Sequence, residues 1–247
     1  MQKRGFLMDG NNSMFNEPGM EWMNGGAAES LSSYTTKTFG WMGLGLLATF
    51  VTAYAGYLTG ITWLLCVSMP YLPFILAIAE VITVIVLGAR LHKLSAGGAT
   101  ALFFVYAILN GLTFSTLFLV YDVATMVYVF GLTALYFGVL AAYGYFTKRD
   151  LTGLRSFLFA GLLFLALYWV VSIFLPMAMY DKVVCFIGLA VFMGYTAYDT
   201  QMIKRYHAAT LTDPDMAHKG AILCALQLYL DFINMFLYIL RLVARKK

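Results

Sequence analysis

Three carboxylates, Glu80, Asp199 and Asp231, lie inside long apolar stretches of the sequence. If such a stretch crosses a lipid bilayer, a charged side chain near its centre costs about 2.5 kcal/mol or more. An acid in that position is a functional candidate by default, here for a proton-linked or transport role. The alternative is that each acid only joins neighbouring helices through hydrogen bonds.

The last apolar stretch carries polar residues on one helical face, which we call the polar row. The row consists of Gln227, Asp231, Asn234, Tyr238 and Arg241, at spacings of 4, 3, 4 and 3 residues. The remaining faces hold Leu, Ile, Phe and Met, so we expect the polar row to turn toward protein or water. Replacing Met235, which lies off the row, with leucine should then have little effect on ion flux or assembly.

Two earlier apolar stretches show a weaker form of the same pattern. Their polar residues are Glu80, Thr83 and Arg90 in one stretch and Asn110, Thr113 and Ser115 in the other. We predict that Glu80, Arg90 and Asn110 belong with the polar row to a pH-sensing or ion pathway.

The positions of Asp199 and Asp231 along their stretches allow them to meet. Asp199 is about 7.5 Å before Lys204 and Asp231 about 15 Å after Ala221, at 1.5 Å per helical residue. Helix tilt or a later helix start would bring the two acids level. Because the two stretches are sequence neighbours and run antiparallel, we predict that the acids form a pair.

The composition is that of a membrane protein. Of the 247 residues, 62% are hydrophobic and 11% charged, whereas soluble domains are about 25% charged. The mean hydropathy is +0.79, and the apolar residues fall in blocks separated by short polar breaks. A single soluble core of this size cannot bury so much apolar surface, which indicates a multi-pass membrane protein.

Seven blocks are long enough to cross a bilayer of about 30 Å as helices. They lie near residues 39–60, 71–91, 100–120, 124–146, 156–177, 182–203 and 221–243. Alternating strands of barrel type are absent from the sequence, so the predicted fold is an all-α bundle of seven transmembrane helices. Residues 1–38 are predicted to be a flexible tail, and residues 39–247 the membrane domain.

Basic residues predict the orientation of the bundle. Eleven of them lie in the tail and in the second, fourth and sixth connections, whereas the alternate connections carry only Lys182. By the positive-inside rule the N-terminus is cytoplasmic. Seven crossings then place Arg241 and the basic end of the chain outside, which the same rule disfavours; a last helix that does not cross fully is the alternative.

Other classes of site have little support in the sequence. The three cysteines form no CxxC pair, and His92, His207 and His218 fall in predicted cytoplasmic loops, where we expect solvated side chains and not metal ligands. The basic residues are dispersed, so no nucleic-acid partner is expected. No cofactor is predicted.

Two segments resemble a known signature. The segment from Gly194 to Lys204, GYTAYDTQMIK, and the segment from Leu228 to Leu242, LYLDFINMFLYILRL, are similar to the paired motifs of the transmembrane Bax inhibitor motif family, in its bacterial branch. The resemblance covers the chain from about residue 39 onward.

The resemblance implies a seven-helix bundle with the last helix central. Bacterial members of the family are associated with a pH-sensitive calcium leak, and eukaryotic members with reticulum calcium and suppression of cell death. The paired aspartates of the family correspond to Asp199 and Asp231, which would contact calcium transiently. The arginine that latches to them corresponds to Arg90, or its place is taken by Leu91 or His92. A bacterial inner membrane is the expected location.

Two other functions remain open beside the leak. A regulator that conducts nothing and binds an unknown membrane protein is compatible with the sequence. An intramembrane enzyme is disfavoured: neither aspartate lies in the GxGD motif of aspartyl proteases, and the GxSG motif of rhomboid proteases is missing. The seventh block has no lysine for retinal.

The topology can be tested by cysteine labelling with a membrane-impermeant reagent. A cysteine placed before Lys37 should be labelled only from the cytoplasm, and one placed after Arg245 only from the outside, because seven spans separate them. Cytoplasmic labelling at the second position would exclude a model with seven crossings.

Overall fold

The computed structural model describes residues 29–175 and 178–243. Its α-helices are α1 (Leu31–Leu58), α2 (Ile61–Ser68), α3 (Leu72–Arg90), α4 (Ala96–Ser115), α5 (Leu117–Val120), α6 (Val123–Phe146), α7 (Arg155–Phe174), α8 (Asp181–Ala209) and α9 (Pro214–Val243). Short 3₁₀ turns cover Leu91–Lys93, Thr152–Leu154 and Ala178–Tyr180. The described residues contain no β-strand.

Seven helical segments of the described chain are long and apolar enough to cross a membrane. The predicted all-α bundle of seven spans is therefore confirmed. The sequence analysis did not predict α2 and α5, because helices of 8 and 4 residues are too short to give a hydropathy signal of their own.

The first helix begins earlier than predicted. Ser30 caps α1 by accepting a hydrogen bond from the backbone N–H of Ser33 at 3.2 Å, and residues 31–38, which were assigned to the tail, are helical. Thr35 and Thr38 donate to carbonyls one turn back at 2.7 and 2.9 Å, so their hydroxyls are satisfied inside the helix. Residues 1–28 of the predicted tail lie outside the described residues.

The predicted loop of residues 205–220 is much shorter in the structure. Helix α8 continues to Ala209 and α9 begins at Pro214, where Asp213 accepts a hydrogen bond from the backbone N–H of Met216 at 3.0 Å. With 29 residues, α8 is about 44 Å long, well beyond a hydrocarbon layer of about 30 Å. Its polar end extends past the apolar block, which is why hydropathy placed the boundary too early.

The histidines in this region are not solvated loop residues. His207 lies on α8, and its Nε2 donates to the carbonyl oxygen of Glu29 at 2.6 Å. His218 lies on α9, where its Nε2 shares a hydrogen bond with Thr100 Oγ1 at 2.9 Å and its ring packs edge-on against Trp41. Only His92, in the turn after α3, is exposed as predicted.

Helix α9 occupies the centre of the bundle. It packs mainly against α1, α4, α6 and α8, and 67% of its most apolar stretch is buried, against 11% in the span that contains α7. Helix α3 packs on α4, and α7 on α8, at the perimeter. Helix α9 is therefore surrounded by protein along most of its length.

Helices α6 and α8 approach each other closely at Gly144. A Cβ atom at this position would overlap the backbone carbonyl of Ala197. Elsewhere on α6, a Cβ atom at Gly131 or Gly138 would meet no atom within 4 Å. Small residues of this kind let helix backbones touch, which is how helices gain packing energy in a membrane.

Alanine at Gly144 should loosen the bundle, whereas alanine at Gly138 should not. The first substitution forces α6 and α8 apart, at an expected cost of about 1–3 kcal/mol. The second fills open space and raises helix propensity slightly. Thermal unfolding of the detergent-solubilised variants checks this: a lower midpoint for G144A alone is expected, and equal midpoints would contradict the close α6–α8 contact.

Candidate functional site

Asp199 and Asp231 meet between α8 and α9. The connection of residues 210–213 turns the chain back on itself, and the two helices pack antiparallel along their length. The two carboxyl groups lie within interaction distance of each other, and their residues are only 6% and 3% exposed. A hydrogen bond between two carboxyl groups requires that one of them carries a proton, because an ionised carboxylate only accepts.

Asp231 and Gln227 each have a buried oxygen without a donor. Among the described residues, no group hydrogen-bonds Asp231 Oδ2 or Gln227 Oε1. The two residues are four apart and share one face of α9. Buried oxygens without donors are uncommon in folded proteins and mark a place where a proton, water or cation is accommodated.

The structure does not bring Arg90 to the aspartates. Arg90 is the exposed last residue of α3 and makes no ion pair with any acid among the described residues. Of the other two residues considered for this place, Leu91 is buried and His92 is exposed. The turn after α3 does contact α9, but among the described residues no cation forms an ion pair with Asp199 or Asp231.

Glu80 belongs to a second polar group, between α3 and α4. Thr113 Oγ1 donates to Glu80 Oε1 at 2.6 Å. Asn110, one turn before Thr113 and one turn after Tyr106 on α4, is 3% exposed, and its Nδ2 has no hydrogen-bond partner among the described residues. Glu80, the only acid of α3, therefore joins its perimeter helix to the bundle, and it is distinct from the aspartate pair.

A buried hydrogen-bond junction on α9 was missed from the sequence. Thr49 Oγ1 of α1 lies 2.5 Å from Tyr229 OH and 2.9 Å from the carbonyl oxygen of Ala107. The ring of Tyr106 packs edge-on against that of Tyr229, which links the junction to the Glu80 group. A threonine in an apolar helix gives little sequence signal, and only the tertiary contacts reveal its partners.

The polar row is less buried than the apolar faces around it. Gln227, Asn234 and Tyr238 are partly buried, whereas Met235 is fully buried and its sulfur accepts a hydrogen bond from Thr196 Oγ1 at 3.4 Å. The expectation that the polar row faces protein while the other faces of α9 do not is therefore wrong. Because α9 is central, protein surrounds every face. The division of α9 into a polar and an apolar face therefore does not indicate which face contacts protein and which contacts lipid.

The members of the polar row make different contacts. Asn234 Nδ2 donates to the carbonyl oxygen of Leu230 at 2.8 Å, within its own helix. The ring of Tyr238 fills the space above Gly188 of α8. Arg241 is exposed at the far end of α9, beside Cys185. Of the row, only Gln227 and Asp231 present unsatisfied oxygens to the site.

The C-terminal end of α8 is fixed by residues that the sequence analysis did not identify. Gln201 Oε1 accepts from the backbone N–H of Leu151 at 2.9 Å, and its Nε2 donates to the carbonyl oxygen of Arg149 at 2.7 Å. Hydrogen bonds from Thr152, with Arg205 nearby, hold the pKa of Asp150 below its usual range. Asp150 thus remains ionised and pairs with Arg205 at 2.8 Å.

The described residues hold no group of three or more His, Cys, Asp or Glu side chains placed to bind a metal ion. The aspartate pair on its own offers two carboxylates. A tightly held calcium ion takes 6–8 oxygen ligands. This site is therefore better suited to a proton or a passing cation than to a tightly bound ion.

The fold and the site are those of a multi-pass helical membrane protein with a buried acid pair. The model of the family described as "Inhibitor of apoptosis-promoting Bax1" matches residues 31–247. The chain belongs to this family, which confirms the resemblance found in the sequence.

Relatives of the chain occur in several bacteria. It is 42% identical over 219 residues to "Inner membrane protein YbhL" of Escherichia coli (strain K12), covering 88% of this chain and 93% of that protein. It is 34% identical over 218 residues to an uncharacterised protein of Borreliella burgdorferi, covering 87% and 93%. An uncharacterised membrane protein of Streptococcus pyogenes is 35% identical over 179 residues, covering 72% and 77%.

Valine at Thr113 should destabilise the bundle, because Glu80 then loses its hydrogen-bond donor, at a cost of roughly 1–3 kcal/mol. Leucine at Glu80 in the same protein should restore most of the loss, since an apolar pair leaves no unsatisfied group. The measurement is the unfolding midpoint in detergent.

A matched control is available one turn along α3. Thr83 donates only to the carbonyl oxygen of Ala79 in its own helix, at 2.7 Å, so valine there should leave the midpoint nearly unchanged. If T113V behaves like T83V, the Glu80–Thr113 hydrogen bond does not hold α3 in place.

Proposed function

We propose that this protein is a pH-sensitive cation leak, permeable to calcium, in which the proton shared by Asp199 and Asp231 controls conduction. The observation that carries the proposal is the meeting of these two buried carboxyl groups on adjacent helices. The proposal includes no enzymatic step and no bound cofactor.

The physical basis is the cost of placing two negative charges together away from water. Two carboxylates in contact in a low-dielectric site cannot both ionise cheaply, so they hold one proton between them and titrate as a unit. Loss of that proton leaves two adjacent charges on α8 and α9. Their repulsion changes the packing of the two helices, and a change in pH becomes a change in helix position.

The same site suits a passing cation. Calcium prefers carboxylate and carbonyl oxygens and keeps water in the rest of its shell. The oxygens available are those of the pair together with Gln227 Oε1, which has no protein donor among the described residues. Glu80 and Asn110 belong to a second polar group, between α3 and α4, which we assign to the same pathway, with Asn234 and Tyr238 beyond Asp231 on α9.

The membrane and the orientation are part of the proposal. The Escherichia coli relative is described as an inner membrane protein, which supports a bacterial inner membrane for this chain. The distribution of basic residues supports a cytoplasmic N-terminus. In that orientation the 210–213 connection is cytoplasmic, and Asp199 and Asp231 lie about 15 and 26 Å along α8 and α9 from the helix ends at that connection, at ~1.5 Å per residue.

The description of the family favours a second candidate. It speaks of inhibition of apoptosis-promoting Bax1, which suits a regulator that binds another membrane protein and conducts nothing. Ion flux distinguishes the two. Purified protein in liposomes should pass calcium at a rate that depends on pH, with monovalent ions measured in parallel, whereas a regulator would pass none.

Asparagine at Asp199 or at Asp231 should each abolish the dependence of flux on pH near neutrality. Asparagine keeps the size and most of the hydrogen bonding but removes one of the two charges, so no shared proton remains to be lost. The double variant should add little to either single one, since both remove the same switch. The measurement is calcium flux into liposomes across a pH series.

The control is Asp213→Asn. Asp213 is an exposed acid that caps α9 through Met216, and asparagine caps a helix equally well. D213N should keep the pH profile of the unchanged protein. Single variants at the pair that also keep it, or a double variant with additive effects, would show that the aspartates act separately.

A further inference from the structure

A groove runs between α1 and α6 and reaches the central helix. We call it the seam groove. Gly43, Leu47 and Phe50 of α1 form one side, and Val127 and Phe130 of α6 the other. Its floor is α9, through Phe232, Ile233 and Phe236, and its volume is about 450 Å³. The groove therefore interrupts the ring of helices around α9.

The seam groove is apolar. Thr49 is the one polar side chain in its lining, and the Thr49 hydroxyl is engaged with Tyr229 OH and the carbonyl oxygen of Ala107. The rim faces outward: Leu47 is 57% and Val127 54% exposed. Because both rim helices span the membrane, the groove opens into the hydrocarbon layer.

The shape of the groove favours a single hydrocarbon chain. A chain is roughly 4–5 Å wide, given carbon contact distances of ~3.5–4.0 Å, so about 450 Å³ holds on the order of 25 Å of it. An α-helix is about 10 Å wide, so the same volume holds only about one helical turn. A helix from a second copy is thus too thick to enter.

We propose that the seam groove binds one acyl chain of a membrane phospholipid, which inserts between α1 and α6 and lies against α9. A void of this size lined by apolar groups is not filled by water, and lipid chains are the molecules present at the rim. The chain contacts Phe232 and Ile233, the two residues that follow Asp231. The lipid is then a ligand of the central helix and not only part of the surrounding bilayer.

Lipid cross-linking tests the proposal without reference to ion flux. The protein is reconstituted in phosphatidylcholine vesicles with a trace of phosphatidylcholine that carries a diazirine on one acyl chain, and cross-linked residues are mapped by mass spectrometry. Leu135 and Val139 on the outside of α6 are 65% and 63% exposed and should be labelled in any case. Labelling at Phe232, Ile233 or Phe236 of α9 is expected only if the chain enters the groove.

Two glycine variants make the test specific. A Cβ atom at Gly43 meets no atom within 4 Å, so leucine there projects into the seam groove without disturbing the fold. G43L should lose the cross-links on α9 and keep those at Leu135 and Val139. Gly131 is equally unobstructed on α6 but does not line the groove, so G131L should keep both sets.

Two results would overturn the proposal. One is an unlabelled α9 in the unchanged protein, at high dilution in lipid, with Leu135 and Val139 labelled; a second copy that covers the rim of the groove would give this result. The other is labelling of α9 that persists in G43L. Unfolding midpoints of G43L and G131L, measured in the same vesicles, verify that both variants are folded.

Discussion

The burial of Asp231 in the middle of the bundle is the constraint on which the remaining structure depends. An ionised carboxylate in that position is too costly to persist alone, so it must find a partner that carries a proton or a positive charge. In this protein the partner is the neighbouring acid Asp199 and not an arginine. The short 210–213 connection makes α8 and α9 antiparallel neighbours, and the Gln201 hydrogen bonds fix α8 to residues 149–151.

Hydropathy was sufficient to predict the seven spans, because a helix in lipid must be apolar over its whole crossing. The meeting of Asp199 and Asp231 was also predictable, since consecutive spans run antiparallel and only a small tilt was needed. Helix ends were not predictable in the same way. Polar residues such as Thr35 and His207 continue their helices beyond the hydrocarbon layer, where hydropathy carries no information about backbone conformation.

Contacts between distant parts of the chain account for the other differences. Met235 is fully buried because four helices surround α9, although the sequence pattern of α9 is that of an amphipathic helix. Arg90 is exposed and forms no ion pair among the described residues, and no local signal distinguishes an arginine at a helix end from one that folds back. The Thr49–Tyr229 hydrogen bond joins residues 180 positions apart. Sequence spacing predicts only contacts between residues a few positions apart.

The central position of α9 also has a consequence for biosynthesis. The helix around which α1, α4, α6 and α8 pack is the seventh span to be made. At ~5–20 residues per second, roughly 10–40 s separate the start of α1 from the end of α9. During that time the earlier spans lie in the membrane without the surface against which they finally pack, and Asp199 lacks its partner. Assembly of the bundle is thus necessarily late, and a chain that stops before Pro214 would present quality-control proteases with an unpaired acid inside the membrane.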